Sequence, residues 1–183
     1  MLFRSMLVRE HGDAISREEM IGIGVLLLVA GHETTANMIA LGTLALLRHP
    51  EQAATLREDP AAVAPAVEEL MRFLTIVHAS VPRVATVDTE VGGRPIAAGE
   101  QVVVSLAAAD RDRALVEHPD RLDIGRAAAP HVGFGHGVHH CLGAPLARME
   151  MASALPALLR RFPTLAPAVA FEDVVFQIGR AHV

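Results

Sequence analysis

A single cysteine, Cys141, lies in a segment rich in glycine and histidine, and it is the residue best suited to bind a metal. The segment reads Phe-Gly-His-Gly-Val-His-His-Cys-Leu-Gly over residues 134–143. Ala144-Pro145 follows, and proline suits the first turn of a helix because its missing N–H is not needed there. Cys141 is therefore predicted to lie just before a helix N-terminus, where free N–H groups and the helix dipole favour negative charge. The thiolate is the form of cysteine that ligates metals.

From residue types alone, two other interpretations of this segment stay open. The first is a buried cysteine in a glycine-rich turn, because free cysteine often behaves as a small apolar residue. The second is a zinc site, because His131, His136 and His140 lie close to Cys141 in the sequence. Zinc ligands usually occur as pairs of Cys or His at fixed spacing. A single thiolate in a glycine loop is a poor match to that pattern, so we do not favour zinc.

A polar interruption in a long apolar run forms the second group of residues that could do chemistry. It reads Ala-Gly-His-Glu-Thr-Thr over residues 30–35. A threonine inside a helix can bond the carbonyl four residues back, which bends the helix. Thr34 would reach Ala30 in this way. Taken alone, the segment is equally well explained as a tolerated polar patch or a helix–helix hydrogen bond.

The elements that must position these groups are predicted to be mainly helical. Residues 16–19 have the form of a capping box, and a long helix is predicted from about Ser16 to Arg48. Further helices are expected over 51–57, 64–73 and 144–161. Short β-rich runs separated by glycine turns predict strands over 84–87, 94–96 and 101–106. The predicted fold is therefore mainly α with a small β-sheet.

The composition restricts the classes of function. The chain has 183 residues, enough for one domain, and 51% of them are hydrophobic. Its net charge of −5 gives no reason to expect nucleic-acid binding. One cysteine excludes an internal disulfide framework and fits a reducing compartment, so we expect a cytoplasmic protein. The long helix is not predicted to cross a membrane, because polar residues such as His32, Glu33 and Asn37 interrupt its apolar run.

The spacing of the cysteine segment resembles the haem-binding loop of the cytochromes P450, the haem-thiolate monooxygenases. The matching positions are Phe134, Gly135, Gly137, His139, Cys141 and Gly143. The resemblance implies a haem b cofactor with the Cys141 thiolate as the axial ligand of iron, which favours O–O cleavage. It further implies that His139 reaches a haem propionate, and that Phe134 and Gly135 lie at the cofactor near the ligating sulfur.

The hexapeptide over residues 30–35 resembles the oxygen-activating motif of the same family. That motif lies on a long helix that crosses the haem. The resemblance implies that Thr34 lies beside bound dioxygen, that Glu33 is the acid of a proton-delivery chain, and that Ala30 borders the cofactor. Thr35 is expected to be supporting structure. Arg83 matches an arginine that pairs with a haem propionate.

Glu69 and Arg72 resemble the family's Glu-x-x-Arg pair, with Arg126 as its third partner. By themselves, two opposite charges three residues apart on a helix are worth little. The resemblance implies a structural role behind the haem for all three residues.

For the chain as a whole, the resemblance implies the C-terminal half of the cytochrome P450 fold. Residues 6–177 would be the C-terminal, haem-binding part of a single domain. A long central helix would pass over the haem, and the cysteine loop would lie beneath it. We expect residues 1–5 and 178–183 to be adapter-derived, because residues 2–5 and 178–183 read as translations of common sequencing-adapter strings.

The implied reaction inserts one oxygen atom from dioxygen into a small organic substrate. Its electrons would come from a ferredoxin-type donor, as in the soluble bacterial branch of the family. Two alternatives remain. One is a haem-thiolate enzyme that uses peroxide or catalyses isomerisation, against which Glu33 and Thr34 argue because a proton relay serves the dioxygen route. The other is an inert or merely haem-binding truncated fragment.

Overall fold

The computed structural model describes residues 16–126 and 130–174, so the predicted adapter-derived ends lie outside the described residues. The fold is mainly helical, as predicted. Its α-helices are α1 (Arg17–Leu47), α2 (Pro50–Glu58), α3 (Val63–Leu74), α4 (Leu106–Ala109) and α5 (Ala144–Arg161). Short 3-10 turns lie at Pro60–Ala62, Gly137–His139 and Phe171–Asp173.

Helix α1 begins at the predicted capping box. The Ser16 hydroxyl accepts a hydrogen bond from the Glu19 N–H at 3.2 Å. The Ser16 N–H in turn donates to the Glu19 carboxylate at 2.8 Å. Two free N–H groups of the first turn are thereby satisfied. The hydrogen bond lowers the pKa of Glu19 below its ordinary value, because it favours the charged carboxylate.

The long helix predicted from Ser16 to Arg48 enters the core only with its second half. The buried residues of α1 are Thr35, Met38, Gly42, Ala45 and Leu46. In the first half, large apolar side chains such as Leu28 are exposed. Over residues 16–126 and 130–174, α1 is the one helix long and apolar enough to cross a membrane, a test that core helices of folded domains also pass.

The core lies where α1, α3 and α5 meet, with α2 packed against α1 and α5. Its fully buried leucines include Leu46, Leu70 and Leu155. Each buried leucine contributes roughly 1.5–3 kcal/mol through removal of apolar surface from water. Gly42 faces this packing, and a Cβ there would make ordinary contacts at 3.6 Å from the side chains of Leu70 and Leu155. This packing holds α5, and therefore the cysteine loop before it, against α1 and α3.

The β-structure differs from the single small sheet that the sequence predicts. Within residues 16–126 and 130–174, two separate antiparallel pairs form: β1 (Arg83–Val84) with β4 (Gln101–Val102), and β2 (Thr89–Val91) with β3 (Arg94–Ile96). Strand β2 was not predicted. Gly92 and Gly93, at φ 58° and 79°, form the two-residue turn that folds it onto β3.

The predicted strand over 101–106 was too long. Strand β4 ends at Val102, and Leu106 begins α4 instead. The Ser105 hydroxyl accepts a hydrogen bond from the Ala108 N–H at 3.2 Å, so Ser105 caps this helix. A local cap therefore overrides the apolar run that favoured a strand.

Candidate functional site

The cysteine loop is closed by a backbone hydrogen bond between its two ends. The Cys141 N–H donates to the Phe134 carbonyl at 2.9 Å. Gly135 and Gly137 adopt φ of 74° and 77°, a left-handed conformation that glycine takes without steric cost. Helix α5 has Gly143 as its N-cap, so Cys141 lies two residues before the N-cap and just before the helix, as predicted.

The Cys141 thiol is free and exposed, so the alternative of a buried structural cysteine is wrong. Val138 and Leu142, which flank it in the loop, are 96% and 80% exposed. His139 is also exposed. A soft sulfur donor between exposed apolar side chains suits a flat, apolar group that carries a metal. The residues present therefore fit a haem.

No multi-ligand metal cluster forms in the described part of the chain. Among residues 16–126 and 130–174, no group of three or more His, Cys, Asp and Glu side chains is arranged to hold a metal ion. His131 instead contacts Glu68, with 2.9 Å between Nε2 and Oε2. His131 is thus engaged in a contact with a carboxylate of another element.

The second predicted group lies in the middle of α1, which runs as one helix through it. The Thr34 hydroxyl donates to the Ala30 carbonyl at 2.7 Å, which confirms the predicted bond to the residue four positions back. Ala30, Glu33 and Thr34 are exposed, whereas Thr35 is buried. The side chains predicted to act in chemistry are therefore left accessible, and the threonine predicted to support the structure is packed.

A cleft between α1 and α5 is lined on one side by part of the second predicted group. It has a volume of about 810 Å³. Gly31, His32 and Thr35 line it from α1, and Leu146 and Glu150 line it from α5. Segments more than 100 residues apart in the sequence thus form the two sides of one cleft. The sequence did not place Leu146 or Glu150 in this cleft, because their position opposite α1 follows only from helix packing.

Glu69, Arg72 and Arg126 form the predicted group of three charges. Arg72 is fully buried and bonds both oxygens of Glu69, at 2.8 and 2.9 Å. Arg126 Nε lies 3.3 Å from Glu69 Oε2. Arg72 also donates to the carbonyls of Asp110 and Pro119, at 3.0 and 2.8 Å. The group ties α3 to the segment after α4.

Asp110 connects this group to the cysteine segment, a role that the sequence analysis missed. Its carboxylate accepts the Val132 N–H at 2.7 Å and the Thr75 hydroxyl at 2.9 Å. Asp110 is 1% exposed. Thr75 follows the end of α3 with φ 37° and is itself buried. The chain just before the cysteine segment is therefore held to the end of α3 through one buried carboxylate.

Arg148 of α5, which lies beyond the segment, contacts Glu68 and the first residue of the segment. It bonds both oxygens of Glu68, at 2.6 and 2.9 Å, and its guanidinium carbon lies 4.4 Å from the ring centroid of Phe134. The hydrogen bond from Arg148 lowers the pKa of Glu68, although partial burial opposes that shift. The same hydrogen bond raises the pKa of Arg148. Arg83, the predicted propionate partner, begins β1 and is exposed.

Comparisons with known proteins point to one family. The chain matches the family model described as Cytochrome P450 over residues 1–178. It is 57% identical over 155 residues to cytochrome P450-SU2 of Streptomyces griseolus, covering 85% of this chain and 38% of that protein. It is 52% identical over 161 residues to cytochrome P450 FAS1 of Rhodococcoides fascians, covering 88% and 40%.

Solved structures give the same result. The ligand-free form of CYP105P1 matches with a TM-score of 0.87 and 46% identity, over 94% of this chain and 44% of that one. GfsF matches with a TM-score of 0.83 and 49% identity, over 93% and 47%. The chain spans less than half the length of each of these relatives.

Proposed function

Because this chain belongs to the cytochrome P450 family, we propose that it is the C-terminal, haem-binding half of a monooxygenase domain. The complete domain would insert one oxygen atom from dioxygen into a small organic substrate. The observation that carries the proposal is the exposed, free thiol of Cys141 in a glycine loop before α5. The exposed apolar side chains of Val138 and Leu142 support it, because they offer a surface that a porphyrin would cover.

The family implies haem b as the cofactor. Cys141 would hold the iron, Phe134 and Gly135 would border the ligating sulfur, and Ala30 would border the cofactor. His139 and Arg83 would meet the propionates, since both are exposed and Arg83 carries a fixed positive charge. When bound, the haem supplies the one-electron and dioxygen chemistry that side chains cannot.

Thr34 and Glu33 would handle protons on the α1 side of the site. The Thr34 hydroxyl donates to the Ala30 carbonyl, which leaves its oxygen lone pairs free to accept a hydrogen bond from water or a ligand. Glu33, the adjacent exposed carboxyl, would pass protons from solvent to that position by general acid catalysis. This arrangement favours the dioxygen route over a peroxide-using enzyme.

Sequence similarity to the relatives does not identify the substrate. Relatives named vitamin D3 dihydroxylase and pentalenic acid synthase are 52% and 50% identical to this chain. Those two names point to different molecules at nearly equal identity. We therefore propose only a small organic substrate, a ferredoxin-type electron donor and a cytoplasmic location.

The test is an optical spectrum of the purified chain with haem, reduced and exposed to carbon monoxide. A strongly red-shifted Soret band is expected, and Cys141→Ala should abolish it. His140→Ala is the matched control, because it changes an adjacent exposed residue with no assigned role, and it should keep the band. An unshifted band in the unaltered chain, or a shifted band that survives Cys141→Ala, would refute thiolate ligation by Cys141.

A second candidate is a fragment that binds haem without turnover. The exposed apolar side chains in the first half of α1, such as Val25 and Leu28, favour it, because they offer apolar surface to a missing part of the domain. A chimaera separates the candidates: this chain replaces the matching 155 residues of cytochrome P450-SU2. Oxygen insertion by the chimaera with a ferredoxin system, and none by the chain alone, would support the fragment; turnover by the chain alone would exclude it.

A further inference from the structure

One carboxylate on α3, that of Glu68, joins two segments that flank the cysteine loop. Arg148 donates from Nε to Glu68 Oε1 at 2.6 Å and from Nη2 to Oε2 at 2.9 Å. His131 Nε2 lies 2.9 Å from the same Oε2. His131 lies three residues before the cysteine segment, and Arg148 lies in α5 beyond it. We call Glu68, His131 and Arg148 the Glu68 clamp.

The His131 end of the clamp fixes backbone as well as side chains. The Gly133 N–H donates to His131 Nδ1 at 3.1 Å, so Nδ1 is an acceptor and Nε2 carries the proton given to Glu68. The His131 side chain is only 6% exposed. A Cβ at Gly133 would lie 3.1 Å from the Met71 side chain and 3.2 Å from the Met71 carbonyl, closer than most real contacts. The backbone at Gly133 is thus held against α3.

The Arg148 end of the clamp reaches the residue that bonds Cys141. The Arg148 guanidinium lies over the Phe134 ring at 4.4 Å, a cation–π contact. The Phe134 carbonyl accepts the Cys141 N–H at 2.9 Å. A chain of three contacts therefore runs from Glu68 through Arg148 and Phe134 to the Cys141 backbone.

We infer that the Glu68 clamp is a positioning device for Cys141, which presets the loop in the conformation that presents the thiol. His131 and Arg148 both contact the Glu68 carboxylate, so this one group restrains the chain before and after the cysteine segment. Because the ion pair is bidentate, it restrains orientation as well as distance. The inference rests on the proposed function only in that Cys141 is taken as the haem ligand.

The first test needs no haem. Amide hydrogen exchange over residues 132–142 is measured in the chain, with residues 50–58 of α2 as the internal reference. In Glu68→Gln, exchange at 132–142 should rise by about tenfold, since a hydrogen bond to a charged group is worth roughly that factor or more. Exchange over α2 should stay the same. Glu58→Gln, which neutralises an exposed carboxylate at the end of α2, is the matched control and should change neither region.

A second variant covers the case in which Glu68→Gln fails to fold. Arg148→Lys keeps a positive charge but loses the planar fork that bonds both oxygens and stacks on Phe134. It should give exchange rates between those of the unaltered chain and Glu68→Gln. An equal rise in both regions would overturn the inference, because Glu68 would then support the whole fold and not the loop. Rates equal to the Glu58→Gln control in both variants would overturn it as well.

The reduced, carbon monoxide-treated spectrum separates this inference from the proposed function. A red-shifted band in the unaltered chain that moves partly to the unshifted position in Glu68→Gln supports both. No red-shifted band in the unaltered chain, together with faster local exchange in Glu68→Gln, refutes the proposed function and leaves the positioning role. A red-shifted band in the unaltered chain, with no local change in exchange in Glu68→Gln, supports the proposed function and refutes the positioning role.

Discussion

Replacing Arg72 with methionine should remove a large part of the stability of this fold. Arg72 is fully buried and bonds both oxygens of Glu69, at 2.8 and 2.9 Å. Methionine has a similar length but no charge, so the variant leaves the Glu69 carboxylate, only 3% exposed, without its main partner. Two carbonyls, those of Asp110 and Pro119, also lose their donor.

The expected cost follows from the partners that remain. Removing one member of a buried ion pair costs about 3–5 kcal/mol, because the other charge stays buried. Arg126 Nε still lies 3.3 Å from Glu69 Oε2, and the Asp123 N–H still donates to Oε1 at 3.0 Å. We therefore expect the lower end of that range, about 3 kcal/mol, against a typical total stability of about 5–15 kcal/mol.

The measurement is urea unfolding followed by far-ultraviolet circular dichroism, since the chain has no tryptophan. Arg160→Met is the matched control, because Arg160 is exposed on the last turn of α5, and it should change stability by less than about 0.5 kcal/mol. Glu69→Gln completes a double-mutant cycle with Arg72→Met, with an expected coupling of about 1–3 kcal/mol. A loss below about 1 kcal/mol for Arg72→Met, or no coupling, would refute the assignment of Arg72 as the structural centre of the three charges.

Three further predictions concern positions outside this group. Ser16→Ala should destabilise the start of α1 by about 0.5–2 kcal/mol, because the capping bond to the Glu19 N–H is lost; unchanged amide exchange in the first turn of α1 would contradict this. Gly42→Ala should stabilise the fold by about 0.5–1 kcal/mol, because a Cβ there meets only ordinary contacts at 3.6 Å and alanine favours a helix; a lower urea midpoint would show that the helices cannot accommodate a methyl group. The Arg148 hydrogen bond lowers the pKa of Glu68 below its ordinary value of 4.5, so the stability it contributes is complete above pH 4.5 and is lost as pH falls through the lower folded pKa. The stability difference between the unaltered chain and Glu68→Gln should accordingly be constant above pH 4.5 and shrink below it, and a difference independent of pH down to acid unfolding would contradict the shift.

The helices were predictable because their ends depend on neighbouring residues. The capping box at Ser16 and the proline at Pro50 mark the two limits of α1, and α5 spans the predicted residues 144–161. The bond from Thr34 to Ala30 is also local and was predicted from helix geometry. In contrast, β2 was missed because its three residues have little pattern of their own and depend on pairing with β3.

In the candidate site, too, local features were predictable and long-range contacts were not. The spacing around Cys141 was enough to place it before a helix and to suggest a metal ligand, because a glycine loop and a helix start are both short-range features. The exposure of Cys141, the cleft between α1 and α5 and the Glu68 clamp were not predictable from the residues. Glu68 and Arg148 are 80 positions apart, and no local pattern says that they meet.

By itself, the sequence determined which residues could do chemistry, where most helices begin and end, and which family the motifs resemble. The tertiary structure decided which half of α1 is buried, that Asp110 joins Thr75 to Val132, and that one carboxylate joins residues on both sides of the cysteine segment. The physical reason is that caps, turns and helix hydrogen bonds act within a few residues along the chain. Burial and ion pairing instead depend on which distant segments pack against one another.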